Sequence, residues 1–265
     1  MNNSTNILIK SSSLPFDPGG ERGLAGSVVT RASLTAAERD QMYGLLATYF
    51  VGTERARFET DLAEKEAVVL LRDVKTGEIQ GFSTFMRIEI QIDESEVVAF
   101  FSGDTIVARK YWGETILSRL WSRTVFAEAD LVQAERPSTR VYWFLICSGY
   151  KTFRFLPVFF REYFPNPAGS TPPGMQQILN TLGKTKFGDQ YDSASGVVRL
   201  HSAARLRSGV ADVTEQRMRE RVVAFFASKN PGHAEGDELA CITEISRLNL
   251  TRAGERMVGS ALGHS

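Results

Sequence analysis

The sequence predicts an α+β fold, an α/β/α sandwich on a mixed, mostly antiparallel central sheet. Three observations carry that expectation. Ala67–Val107 reads as three strands in succession, joined by short turns into a meander. Val97–Leu131 reads as a strand, a short loop with a single glycine, and an amphipathic helix. Arg140–Cys147 (RVYWFLIC) is apolar nearly throughout, as expected of a strand covered on both faces. A strand that follows a strand and a helix runs parallel to the first. One parallel pair is therefore expected inside an otherwise antiparallel sheet.

Taken in order, Met1–Gly26 is rich in Ser, Asn, Pro and Gly and reads as a flexible extension, with Ile7–Ile9 its one apolar patch. Ser27–Arg31 is a short strand. Thr35 and Glu38 have the spacing of a capping box, and Met42, Leu45, Leu46 and Tyr49 make one helical face. A second helix is expected over Thr53–Glu66, with Phe58 and Leu62 inward. Ala67–Asp73 is a strand and Lys75–Gly77 a turn. Ile79–Ile92 alternates Phe82, Met86, Ile88, Ile90 and Ile92 against Arg87, Glu89 and Gln91. Asp93–Ser95 turns the chain into Val97–Val107.

The next helix has Leu117, Leu120, Trp121 and Val125 inward, with Arg119, Arg123 and Glu128 expected outside. Leu131–Thr139 reads as a polar link. After Arg140–Cys147, Phe153–Phe164 (FRFLPVFFREYF) is helix-like, with a kink or restart at Pro157. Its apolar circumference fits burial on all sides or a pocket for a hydrophobic chain. Asn166–Gly174 is a linker and Met175–Leu182 a short helix. Ser195–Leu200 and Glu238–Ile245 are late strands. Val213–Ser228 is a helix with Met218, Val222, Val223 and Phe226 inward. Arg247–Val258 is a terminal helix.

Composition excludes several classes. Lys+Arg and Asp+Glu both number 31, so no net field points to nucleic acid or an anionic membrane. Cys147 and Cys241 make no CxxC motif or disulfide framework, which fits a reducing compartment. The histidines share no ligand spacing, so no metal site is expected. No run of about 18 apolar residues predicts a membrane span. The N-terminus lacks the basic start and apolar core of a secretory signal. A cytoplasmic location is the expectation.

The strand–loop–helix unit carries the first chemical signal. A helix start opening from a strand presents free N–H groups and the positive end of the helix dipole, a site for an anion. Arg109 and Lys110 add fixed positive charge. A plain β–loop–α connection with two solvated basic residues accounts for the same residues.

Over roughly Ser27–Tyr163 the chain resembles the GNAT superfamily of acyltransferases. The matching runs are SVVTRASLTAAERDQMYGLL, the meander ending in DTIVARKYWGETIL, then RVYWFLIC and FFREYF. The resemblance implies a sheet whose fourth and fifth strands splay, with an acyl thioester lying between them. It implies one domain over residues 27–265. Residues 27–165 form its core. Residues 166–265 add helices and a last hairpin of the two late strands. The family's pyrophosphate loop reads Gln/Arg-x-x-Gly-x-Gly/Ala. The aligned run Trp112–Leu117 keeps Gly113 and places Trp112, Thr115 and Leu117 at the other signature positions. Acyl-CoA, or a phosphopantetheine arm on an acyl carrier protein, is the implied co-substrate. A basic patch of Arg109, Lys110 and Arg123 suits an acidic carrier surface.

The resemblance also implies site residues. Ile106 and Val107, then Arg109, Lys110, Trp112, Gly113, Glu114 and Thr115, would hold the donor. Acyl transfer to an amine needs a base, a donor for the oxyanion and a proton for the departing thiolate. Asp104 is the carboxylate candidate; Tyr150 and Tyr163 are the tyrosine candidates. Ser102, Ser148, Lys151, Thr152 and Arg154 are candidate substrate contacts. Cys147 is a weaker candidate for an acyl-accepting nucleophile. Two functions follow from this set. One is an N-acyltransferase, with a medium or long acyl chain and a small-molecule or peptide amine as acceptor. The other is a catalytically silent module of the same fold that binds a ligand or protein.

Overall fold

The structure, a computed structural model, describes residues 16–17, 23–200 and 204–259. The Ile7–Ile9 patch lies outside the described residues. Strand β1 (Phe16–Asp17) pairs with β2 (Leu24–Thr30), which starts before the expected Ser27. Helix α1 (Ala36–Tyr49) opens on the expected capping box: Thr35 accepts from the Glu38 N–H and Glu38 accepts from the Thr35 N–H. After the short strand β3 (Phe50–Val51), helix α2 (Arg55–Ala63) buries Phe58 and Leu62 as predicted.

The meander is β4 (Ala67–Asp73), β5 (Ile79–Ile92) and β6 (Ser95–Val107). Helix α3 (Ile116–Glu135) then leads to β7 (Arg140–Cys147), which runs parallel to β6. α3 continues past the expected end at Leu131, because Leu131–Glu135 adds one more turn with Val132 inward. Two short helices follow, α4 (Tyr150–Phe153) and α5 (Phe155–Phe159). The restart falls at Arg154, one turn before Pro157, where the missing Pro N–H leaves the Phe153 carbonyl without its helical donor. Beyond Phe159 the chain is no longer helical, since Phe160 bridges Leu250 and Phe164 bridges Ile242. Phe155 and Val158 are 41% and 47% exposed, so the segment is not buried all round.

The C-terminal part supplies helix α6 (Pro173–Phe187), strands β8 (Tyr191–Asp192), β9 (Val197–Val198) and β10 (Arg205–Leu206), and helices α7 (Glu215–Met218) and α8 (Arg221–Lys229). Strand β11 (Glu238–Glu244) and helix α9 (Arg252–Val258) complete it. The single helix expected over Val213–Ser228 is two, and Met218, at the end of the first, is 44% exposed rather than inward. β11 pairs with both β7 and β9, so the late strands extend the main sheet. Among the described residues the sheet order is β1-β2-β4-β5-β6-β7-β11-β9-β8. The predicted class is observed: α+β, with a mixed, mostly antiparallel sheet and helices on both faces.

One face of the sheet packs on α3 through Val28, Val69, Phe85, Phe100, Trp143 and Leu239. The other carries α1 and α2 over Val68, Leu70 and Phe82, and α6 over Phe101, Phe144 and Ile242. Glu128 of α3, expected outside, is 8% exposed. Burial pushes its carboxyl up to about 7, against the pull of Arg87, while Glu66 pushes it higher. A folded-state value above the ordinary 4.5 favours the protonated form, so this group's contribution is full at low pH and is lost as pH rises to about 7. Glu128→Gln should therefore melt progressively higher than wild type between those limits, by a few degrees at pH 8. Equal melting shifts at pH 4.5 and pH 8, followed by circular dichroism, would refute the burial argument.

Candidate active site

Strands β6 and β7 pair from Val97↔Arg140 to Ser102↔Leu145 and no further. β6 continues to Val107 on β5 alone, and β7 to Cys147 on β11 alone. The separation begins at a bulge. Ser83 of β5 opposes Thr105 and Phe85 opposes Ser102, so β6 holds one extra residue at Gly103–Asp104. A side chain at Gly103 would stand 2.6 Å from Thr84 Oγ1 and 2.8 Å from Lys65 Cε, so any larger residue there would have to displace one of them.

The bulge places Asp104 among charges from the α1/α2 side of the sheet. Burial raises its carboxyl to about 6; Lys65 and Arg57 pull it down and Asp61 pushes it up. Lys65 is 6% exposed, donates to the Asp61 carbonyl at 2.9 Å, and is driven below its ordinary value chiefly by burial. Across the gap Glu238, the first residue of β11, accepts from Ser148 Oγ just past β7. Glu238 is 9% exposed and lifted to about 7, again chiefly by burial and further by Asp104. Two carboxylates that titrate near neutrality thus flank the opening from opposite lips.

The α3 side has a different character. Helix hydrogen bonding in α3 starts with the Arg119 N–H to the Thr115 carbonyl, so the preceding N–H groups lack an intrahelical acceptor. Gly113 has φ +97°, with open space around its α-carbon. Trp112 donates Nε1–H to the Val107 carbonyl at 2.8 Å. Lys151 Nζ lies 3.8 Å from the Trp112 ring centre and the Arg109 guanidinium 5.0 Å from it. Burial, then Arg109 and Arg217, hold the Lys151 ammonium below its ordinary value. Arg109 and Lys151 therefore bring positive charge to the Trp112 ring, while Arg217 is paired with Glu220 at 2.7 Å.

Other expected members sit elsewhere. Lys110 pairs with Asp73 at 3.6 Å and lies over Tyr111, whose hydroxyl donates to Asp73. Arg154 pairs with Glu220 at 3.3 Å. Ser102 Oγ accepts from Trp143 Nε1 at 2.9 Å on the α3 face. Tyr150 is buried, with Arg217 6.0 Å from its ring centre, and Thr152 is half-buried one turn on. Tyr163 is buried edge-on to Phe153, and burial raises its hydroxyl. Cys147 is fully buried with its sulfur 4.0 Å from that of Cys241, and burial pushes the thiol well up, so it is not a thiolate nucleophile. Glu238 and Lys65 were not expected. Glu238 heads an apolar run and reads as a strand end; only its pairing opposite Ser148 reveals it.

A strap from Ala204 to Val213 crosses the opening. Leu206 pairs with Phe50, the Arg207 N–H and guanidinium donate to the carbonyls of Tyr49 and Ala47, and Arg109 donates to Gly209 O at 2.7 Å. Ala211 and Leu206 press on Gly149, where a Cβ would meet them at 2.8 and 3.1 Å. The strap touches α1, the loop before α3 and the end of β7, and so spans both lips.

Solved structures resemble this chain over about half its length. A probable N-acyltransferase from Enterococcus faecalis shares 13% identity, with TM-score 0.37, over 52% of this chain and 33% of its own. This chain thus spans about a third of that protein. Arabidopsis thaliana NAA60, in complex with a bisubstrate analogue, shares 13% identity (TM-score 0.36; 52% and 87% covered). The GNAT family N-acetyltransferase YhbS from Escherichia coli, in complex with CoA, shares 16% (TM-score 0.32; 52% and 71% covered). No family model matches the chain, and comparison with curated proteins finds no match. The chain's own strand order, its single parallel pair and the parting of that pair agree with the resemblance read from the sequence.

Trp112→Phe keeps an aromatic ring and removes the donor to Val107. Leaving a half-buried carbonyl unpaired costs about 1 kcal/mol, so Tm should fall by roughly 2–4 °C in calorimetry. An unchanged Tm would mean that the indole does not hold the loop to β6.

Proposed function

We propose that this chain is an N-acyltransferase that moves an acyl group from a thioester to an amine. The observation that carries the reading is the parting of β6 and β7 at a bulge that delivers Asp104 to the opening. The thioester lies in the gap and the amine approaches from the Asp104 side. The amine nitrogen attacks the carbonyl carbon and its proton passes to Asp104. Free N–H groups of β6 beyond Ser102 receive the oxyanion. The C–S bond then breaks, and the thiolate takes a proton from Tyr150, the tyrosine nearest the end of β7. A carboxyl near 6 is ionised at pH 7.5 and basic enough to accept a proton in the transition state.

The donor is an acyl-CoA or an acylated carrier protein. Arg109 and Lys151, with the α3 N-terminus, suit one phosphate beside Trp112. Phe153 packs against Tyr163, Phe225 and Phe226 as core, so this aromatic stretch lends no support to a long acyl channel. The Trp112 contact and the strap favour the second reading, a silent binding module, in which the gap stays filled by the chain itself. We place the protein in the cytoplasm, and the described residues include no helix long and apolar enough to cross a membrane.

Incubation with acyl-CoAs of graded length, an acylated carrier protein and a set of amines, followed by intact-mass detection of the product, separates the two readings. Transfer from no donor, with no donor raising Tm, would establish the silent module. Where transfer occurs, Asp104→Asn should lower kcat by roughly 100-fold and abolish an acid limb centred near pH 6. Arg109→Glu and Lys151→Glu should each raise the donor KM by roughly tenfold, a phosphate contact being worth about 1.4 kcal/mol, and leave the acid limb in place.

A further inference from the structure

We infer that the strap is a hinged lid, closed in the structure, whose tip at Ser208–Asp212 lifts off the end of β7 to open the gap. The inference deepens the acyltransferase reading and rests on it for what the open gap admits. The strap is held firmly at its two ends and lightly between them. Beside β3, Arg205 pairs with Val51 and Leu206 with Phe50, and Arg207 donates to the carbonyls of Tyr49 and Ala47. Beyond Val213, Thr214 caps α7, its hydroxyl accepting from the Arg217 N–H. Between these points the tip meets the lips through the Arg109 bond to the Gly209 carbonyl and through Ala211 against Gly149, with a weaker pull of Asp212 on Lys151.

The tip carries its own hydrogen bonds. Asp212 accepts the Gly209 N–H at 2.9 Å through both carboxylate oxygens and the Ser208 hydroxyl at 3.3 Å. The Val210 N–H donates to the Arg207 carbonyl at 3.2 Å. Lifting the tip breaks none of these. The hydrogen bond that it gives up joins two exposed residues, Arg109 and Gly209, and water replaces each partner. No buried polar group is left unpaired, and a segment with few buried contacts of its own opens locally. Gly149 is an independent sign that the tip has a seat. Its backbone is extended, with φ −152° and ψ 159°, a conformation open to any residue. What a Cβ there would meet is the strap: Ala211 at 2.8 Å and the end of the Leu206 side chain at 3.1 Å. The small residue serves the seating of the strap on β7, not the path of the chain.

Substitutions at this seat move the lid in opposite directions. Gly149→Ala pushes the tip off β7. Gly149→Cys with Ala211→Cys, oxidised to a disulfide, ties it down. The lid's position is read by maleimide labelling of Ala211→Cys in the full chain, since Cys147 and Cys241 are fully buried. Adding Gly149→Ala should speed that labelling roughly tenfold, the rate following the open fraction. Access to the gap is read by calorimetry with S-methyl-phosphopantetheine, a thioether that cannot reduce the tie. Gly149→Ala should bind it several-fold tighter than wild type. The tied protein should not bind it, and dithiothreitol should restore binding. Circular dichroism melting of each variant guards against loss of fold. Equal labelling rates in folded variants, or binding by the tied protein as by wild type, overturns the lid and leaves the acyltransferase reading standing on donor turnover. Faster labelling, with no binding by Gly149→Ala or by the untied protein, would overturn the acyltransferase reading and leave the lid.

Discussion

One added residue in β6 governs the site. A ladder that kept its register through Gly103–Asp104 would bring β6 and β7 together to their ends and turn Asp104 away from α2. The extra residue ends the parallel pairing at Ser102↔Leu145 and sets Asp104 beside Lys65. Gly103 is the residue type that permits it, because Thr84 and Lys65 occupy the space a side chain would need. The local defect in hydrogen bonding is stabilised by what surrounds it. Phe85, Phe100 and Trp143 pack below, and Phe101 and Phe144 above.

The two faces of the gap then acquire opposite electrostatics from elements distant in sequence. On the α3 side the helix start, Arg109 and Lys151 make a basic rim. On the α1/α2 side Asp104 and Glu238 make an acidic one. The desolvation that shapes the carboxylates also tunes them, since each would lie in the ordinary range if it were solvated.

Much of this was legible in the sequence where one physical signal dominated. Period-two and period-3.6 patterns marked the meander, α1 and the inward face of α3. The Thr35–Glu38 box marked a helix start because two side chains and two backbone groups must match at fixed spacing. The parallel pair followed from connectivity alone. The misplacements share a cause. Glu128 and Met218 were assigned by residue type, but tertiary packing decided them: α3 is covered on more of its circumference than its apolar stripe suggests, and α7 is too short to bury a side. Glu238 was invisible because its role depends on the strand pairing that sets it opposite Ser148. Lys65 was invisible for the same reason, since a loop lysine after α2 carries no sign that a bulge in β6 will bury it.

The strap shows how the weakened loop motif and the C-terminal elaboration belong together. With Trp112 and Thr115 in place of small residues, the loop before α3 cannot be closed over by backbone alone. Trp112 instead folds back on the Val107 carbonyl, and Arg109 reaches across to Gly209 of the strap. The strap's other anchors, at Ala47 and Tyr49, lie on α1, so its end beside β3 is held independently of Arg109.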